Sequence, residues 1–189
     1  EGKPLVYLMI SSKKNMVNLQ SIKNSISTLA DPRLIKTVTA AKKIIVNPPA
    51  IAWMAYGIHG DEISSTDAAV QLAYQLAAGS DPTTKKILEE LVVSIDPMEN
   101  PDGRERYLQQ LKQWRGVVVN SDASSLDHSG FWPYGRGNHY LFDLNRDWFA
   151  TVHPETRGKV SAILEWKPQF LLDSHEMGAM DTYLFNPPR

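Results

Sequence analysis

The chain has 189 residues, 42% of them hydrophobic and 22% charged, which is enough for a single domain with a buried core. Twenty Lys and Arg against 21 Asp and Glu leave a formal net charge of −1, and no apolar run approaches the ~20 residues that span a bilayer, so neither a nucleic-acid partner nor a membrane span is expected. With no cysteine, disulfides and thiolate chemistry are excluded, and any metal must be held by His, Asp or Glu.

In chain order, residues 5–10 (LVYLMI) read as a buried strand. Residues 15–30 place Met16, Leu19, Ile22, Ile26 and Leu29 at helical spacing, and Asp31-Pro32 closes that helix. Residues 44–46 read as a short strand, Pro48-Pro49 as a break, and residues 51–56 (IAWMAY) as a strong strand. A helix follows, capped by Ser64 or Ser65 and ending near Gly79, with Ala68, Ala69, Leu72 and Leu76 inward. Asp81-Pro82 opens another, with Asp81 as cap and Pro82 at the first helical position. Residues 91–95 (LVVSI) are a third buried strand. From 96 to about 147 periodicity is weak while Gly, Pro, Asn and aromatic residues abound, which predicts a long functional loop region. Pro154-Glu155 opens a helix with Val160, Ile163 and Leu164 inward, residues 170–173 (FLLD) return to strand, and residues 182–185 form a last one. Strands alternating with helices predict a three-layer α/β/α sandwich around a mixed, largely parallel sheet.

The N-terminus lacks the basic and apolar regions of a signal peptide, and apolar runs begin and end close to the two termini. The 189 residues are therefore expected to be a single, truncated catalytic domain cut from a longer chain.

Two motifs carry chemistry. Gly57-Ile58-His59-Gly60-Asp61-Glu62 follows a strand and precedes a helix, where ligand sites of α/β sheets lie. His59 and Glu62, three apart across a tight turn, can face one ion; by itself the pair is equally well a loop His and a Glu at a helix N-terminus. Asp173-Ser174-His175-Glu176 ends a later strand, and His175 supplies a third ligand, leaving the fourth position of a zinc ion for water. Between them, Asn145 and Arg146 pair an amide with a forked donor suited to a carboxylate, and Arg136 sits on a Gly-flanked loop able to reach an oxyanion. Asn100-Pro101-Asp102-Gly103 by itself reads as a turn.

The ordered set HGDE, NPDG, DLNRDW and DSHEMG resembles the M14 (carboxypeptidase A-like) zinc carboxypeptidases, and the opening EGKPLVYLMI resembles the early strand of that family. The resemblance implies Zn²⁺ on His59, Glu62 and His175, a substrate carboxylate on Asn145 and Arg146, and support of His59 by Asp143. It implies an oxyanion-stabilising arginine at Arg136, with Arg115 as the alternative. The family's general-base Glu falls late in its sequence and has no counterpart here; Glu176, next to His175 on a strand, should point away from the metal. The 189 residues alone are accordingly expected to be inactive. The implied function is a zinc-dependent exopeptidase acting on a peptide or acyl-amino acid with a free carboxylate, in the periplasm or outside the cell. The alternatives are an N-acyl amino acid deacylase of the aspartoacylase or succinylglutamate desuccinylase type, a murein-peptide or γ-glutamyl amidase, and a metal- or peptide-binding module without turnover.

Overall fold

The computed structural model describes residues 2–128 and 130–177; the strand predicted at 182–185 lies outside them. In chain order the elements are β1 (Leu8–Ile10), α1 (Lys13–Val17), α2 (Leu19–Ala30), α3 (Val38–Ile45), β2 (Ala50–Tyr56), α4 (Ser64–Ala78), α5 (Pro82–Glu90), β3 (Leu91–Asp96), α6 (Pro101–Trp114), α7 (Pro154–Trp166) and β4 (Phe170–Ser174), with short 3₁₀ turns at Leu126–His128 and Leu144–Arg146.

The sheet order is β1-β3-β2-β4, with β1 antiparallel to β3 and the other pairs parallel. Side chains alternate along each strand, so the sheet builds two cores. On one face Ile51, Trp53, Ala55 and Val92 pack with Ile22 and Ile26 of α2 and Trp166 of α7. On the other, Tyr56, Val93 and Ile95 pack with Ala69 and Leu76 of α4. The fold is the α/β sandwich expected from the alternation of strands and helices. The register brings Ala55 opposite both Asp96 and Asp173, so the carboxyl ends of β2, β3 and β4 finish level, and the loops leaving them share one edge.

Several local expectations differ from the structure. Only Leu8–Ile10 of the first apolar run joins the ladder, as an edge strand; Val6 and Leu8 are exposed. The first helix is two helices that meet at Asn18, whose N–H bonds to the carbonyls of Asn15 and Met16. Met16 is exposed, and the buried residue of α1 is Asn15, whose amide donates to the carbonyls of Leu88 and Glu89. Residues 44–46 end α3 and form no strand: Thr37 caps the helix by accepting from the Ala40 N–H, and three residues are too few for periodicity to distinguish the two states. Neither Ser64 nor Ser65 caps α4 through its side chain, because the cap position is Ile63. Leu164 of α7 is exposed, whereas Lys159 on the same helix is buried. The loop region holds the 14-residue helix α6, opened by Asn100, which accepts from the Gly103 N–H, and by Pro101. The NPDG segment is therefore a helix start, not a free turn.

Beneath the carboxyl edge lies a buried cluster of charge. Lys159 Nζ sits 2.9 Å from Glu99 Oε2, and both side chains are almost fully covered. Burial pushes Asp96 up to about 6, despite the attraction of Lys159 and a hydrogen bond from the Met98 N–H. A carboxyl whose pKa is higher in the folded chain stabilises the fold below its unfolded value, and that stability is lost as pH rises through the folded value. The advantage of Asp96→Asn over the wild type therefore grows between pH 4 and pH 7 by on the order of 2–3 kcal/mol, at about 1.4 kcal/mol per pKa unit. Denaturant unfolding at the two pH values measures it, and a constant difference would place the charge elsewhere.

Candidate metal centre

The turn after β2 is shaped by two glycines. Gly57 has φ +72°, and a Cβ there would meet Thr66 Oγ1 at 2.9 Å. Gly60 lies so close to α6 that a Cβ would fall 2.1 Å from the Arg104 nitrogen. Gly103 in turn abuts the loop carrying Arg136, where a Cβ would fall 2.3 Å from the Gly135 oxygen. Asn100 ties these layers together: its amide nitrogen donates to the carbonyls of Ile58 (3.2 Å) and Arg136 (3.0 Å). The turn, the first turn of α6 and the arginine loop thus stack backbone on backbone.

On this scaffold His59, Glu62 and His175 converge, with one ligand atom from each lying within 4.8 Å of the others. His59 Nδ1 is 2.6 Å from Glu62 Oε1, and His175 Nδ1 is 3.1 Å from Glu62 Oε2. Both imidazoles are held from behind at Nε2, His59 by Asp143 at 3.0 Å and His175 by Asp173 at 3.1 Å. A carboxylate accepting from Nε2–H leaves the Nδ1 lone pair free for a metal. Two imidazole nitrogens and one carboxylate are a zinc donor set, so the residues present fit the ion.

Glu62 and Asp143 are held ionised. Burial opposes the charge on Glu62, but the close contact with the His59 ring, the Glu176 N–H and the neighbouring imidazoles outweigh it and lower its pKa. Burial likewise opposes Asp143, and His59, Arg136 and the Asn145 N–H outweigh it.

Arg136 Nε donates to Asp143 Oδ2 at 3.0 Å, and its Nη1 lies 3.8 Å from Glu62 Oε1, at the edge of the triad. Arg115 follows the last residue of α6, whose 14 residues extend roughly 20 Å from the end that touches the site. Asn145 Nδ2 lies 3.3 Å from His175 Nε2, and its Oδ1 accepts from the Trp148 indole. Arg146 is exposed, donates to the Asn145 carbonyl, and has no carboxylate partner among the described residues. The structure therefore brings His59, Glu62, His175, Asp143, Arg136 and Asn145 together, sets Arg146 beside them and places Arg115 apart. Glu176 turns its carboxylate to the N–H and hydroxyl of Ser64, at 2.5 and 2.6 Å, and so caps α4.

Two contributors escaped the sequence reading. Asp173 was recognisable only as a strand neighbour of His175, two residues away on the same face. Asn100 was read only as part of a turn, and its bonds to Ile58 and Arg136 cross 42 and 36 residues and have no local signature.

An α/β sandwich that gathers two imidazoles and a carboxylate beyond level strand ends carries a donor set that fits a zinc ion. The zinc carboxypeptidase (peptidase M14) family model matches residues 1–186, and the chain belongs to that family. Human carboxypeptidase D is 32% identical over 132 residues, covering 64% of this chain and 9% of the relative. Mouse carboxypeptidase D is 28% identical over 158 residues, covering 78% of this chain and 11% of the relative. The chain thus spans about a tenth of the length of these curated relatives.

Proposed function

We propose that the protein is a zinc-dependent exopeptidase that hydrolyses the C-terminal peptide or amide bond of a substrate with a free carboxylate. The observation that carries this reading is the convergence of His59, Glu62 and His175, with Arg136 and Asn145-Arg146 around them. Bound zinc supplies Lewis acidity and lowers the pKa of its water toward ~7. The chain's own residues do the positioning. Asp143 and Asp173 fix the imidazole tautomers. Arg136, anchored through Nε, keeps its remaining N–H groups for the developing oxyanion. Asn145 and Arg146 receive the substrate carboxylate, which restricts cleavage to the chain end. Glu176 is engaged by the N–H and hydroxyl of Ser64 at the start of α4, so we do not assign it the role of proton acceptor.

Zinc competition titration tests the centre. His59→Ala abolishes tight binding, and Asp143→Asn weakens it by ~10–100-fold because the Nε2 support is altered. Unchanged affinity in Asp143→Asn would reduce Asp143 to a turn residue, and unchanged affinity in His59→Ala would remove the metal centre altogether.

A further inference from the structure

Lys159 is a buried cation with no role in the site described above. Its side chain is 4% exposed, on the face of α7 that looks toward the sheet. An apolar side chain of similar length would fill the space without desolvating a charge. Its ammonium touches two groups. Glu99 Oε2 lies at 2.9 Å, and the ring centroid of Trp148 at 3.7 Å. Each is tied to the centre. The Glu99 N–H donates to the Tyr56 carbonyl at the end of β2, one residue before Asn100. The Trp148 indole N–H donates to Asn145 Oδ1 at 2.9 Å. With Oδ1 occupied, the NH₂ end of the amide is the end on the His175 side, Nδ2 lying 3.3 Å from an Nε2 whose proton goes to Asp173.

We infer that Lys159 is a positioning residue: held by Glu99, it fixes the Trp148 ring, and the ring's N–H sets which end of the Asn145 amide faces the site. This rests on the reading that Asn145 receives a substrate carboxylate, because a flipped amide would present an oxygen to that carboxylate. Glu99 carries a second oxygen, Oε1, that finds no partner among the described residues, so the ammonium is the one side-chain donor that holds this carboxyl there. The cation in turn lies against the face of the indole, the negative region of the ring. Removing it leaves the ring free to tilt while its apolar packing persists.

The test compares the wild type with Lys159→Met and Lys159→Arg in the protein that carries this chain. The first readout is the Trp148 indole N–H resonance, assigned with Trp148→Phe among the five tryptophans, and its exchange with solvent in the metal-free protein. The second is the ratio of kcat/KM for a peptide with a free C-terminal carboxylate to that for its amide. Lys159→Met is expected to shift the resonance, speed its exchange and lower the ratio by about 10–100-fold, the scale on which a small misplacement of a binding group acts. Lys159→Arg restores both, because a guanidinium stacks on indole and pairs with carboxylate. Should Lys159→Met not fold, Lys159→Met/Glu99→Gln removes both charges and is expected to show the same two changes. An unchanged resonance and ratio in a folded variant would overturn the inference. A wild type that does not distinguish carboxylate from amide would overturn the carboxylate role of Asn145 instead, while the resonance still decides whether Lys159 fixes the ring.

Discussion

Arg146→Ala lowers kcat/KM on substrates with a free C-terminal carboxylate by on the order of 10²-fold or more, and changes the C-terminal amides far less. The expectation follows from what Arg146 lacks. Its neighbour in the triad's surroundings, Arg136, is anchored to Asp143, whereas among the described residues Arg146 donates to the Asn145 carbonyl alone. A cation without a carboxylate partner among the described residues, next to an amide facing the centre, is ready for an anionic ligand. Once the pair is desolvated, truncating one side costs about 2–5 kcal/mol. Arg146→Lys retains the charge but not the planar fork, so it recovers only part of the loss. Steady-state kinetics on matched carboxylate and amide substrates measure the effect. An equal loss on both would make Arg146 structural.

The parts of this fold that could be read from the sequence are those governed by neighbours along the chain. The strand at Ala50–Tyr56 is a continuous apolar run bounded by prolines and glycine, and Asp81-Pro82 is a complete helix start within two residues. His59, Glu62 and His175 were legible as a candidate ligand set because they lie in the segments that leave the ends of β2 and β4. What escaped depends on distant contacts. Residues 170–172 (FLL) look like core, yet Phe170, Leu171 and Leu172 are exposed at the described edge of the sheet, paired only with β2. α6 was masked by glycine at its third position, where backbone from the arginine loop leaves no room for a side chain. Lys159 sits on a helix for which the sequence marked Val160, Ile163 and Leu164 as inward and gave no sign of a buried charge. Only the fold shows that Glu99, 60 residues earlier, waits beneath it.

Gly60→Ala is expected to destabilise the protein by roughly 3 kcal/mol and to weaken zinc by more than tenfold, as overpacking against rigid neighbours does. The atoms a Cβ would meet are all backbone: Arg104 N at 2.1 Å, Gly103 C at 2.2 Å and Gly103 Cα at 2.6 Å. No side chain can rotate away, so the turn must lift from α6. His59 adjoins the glycine and Glu62 follows two residues later, so lifting the turn moves two ligands at once. Arg136 does not follow them, because its loop is held to α6 through Asn100 and packs on Gly103. The metal ligands and the arginine therefore separate. Gly158→Ala is the matching control, since a Cβ there meets nothing within 4 Å and the site lies inside α7. That variant should gain up to about 1 kcal/mol from helix propensity and keep its zinc. Thermal unfolding and zinc competition on the two variants distinguish a close approach that builds the centre from a general intolerance of added bulk. If Gly60→Ala folds and binds zinc as the wild type does, the turn can move without cost, and the stacked backbones do not position the ligands.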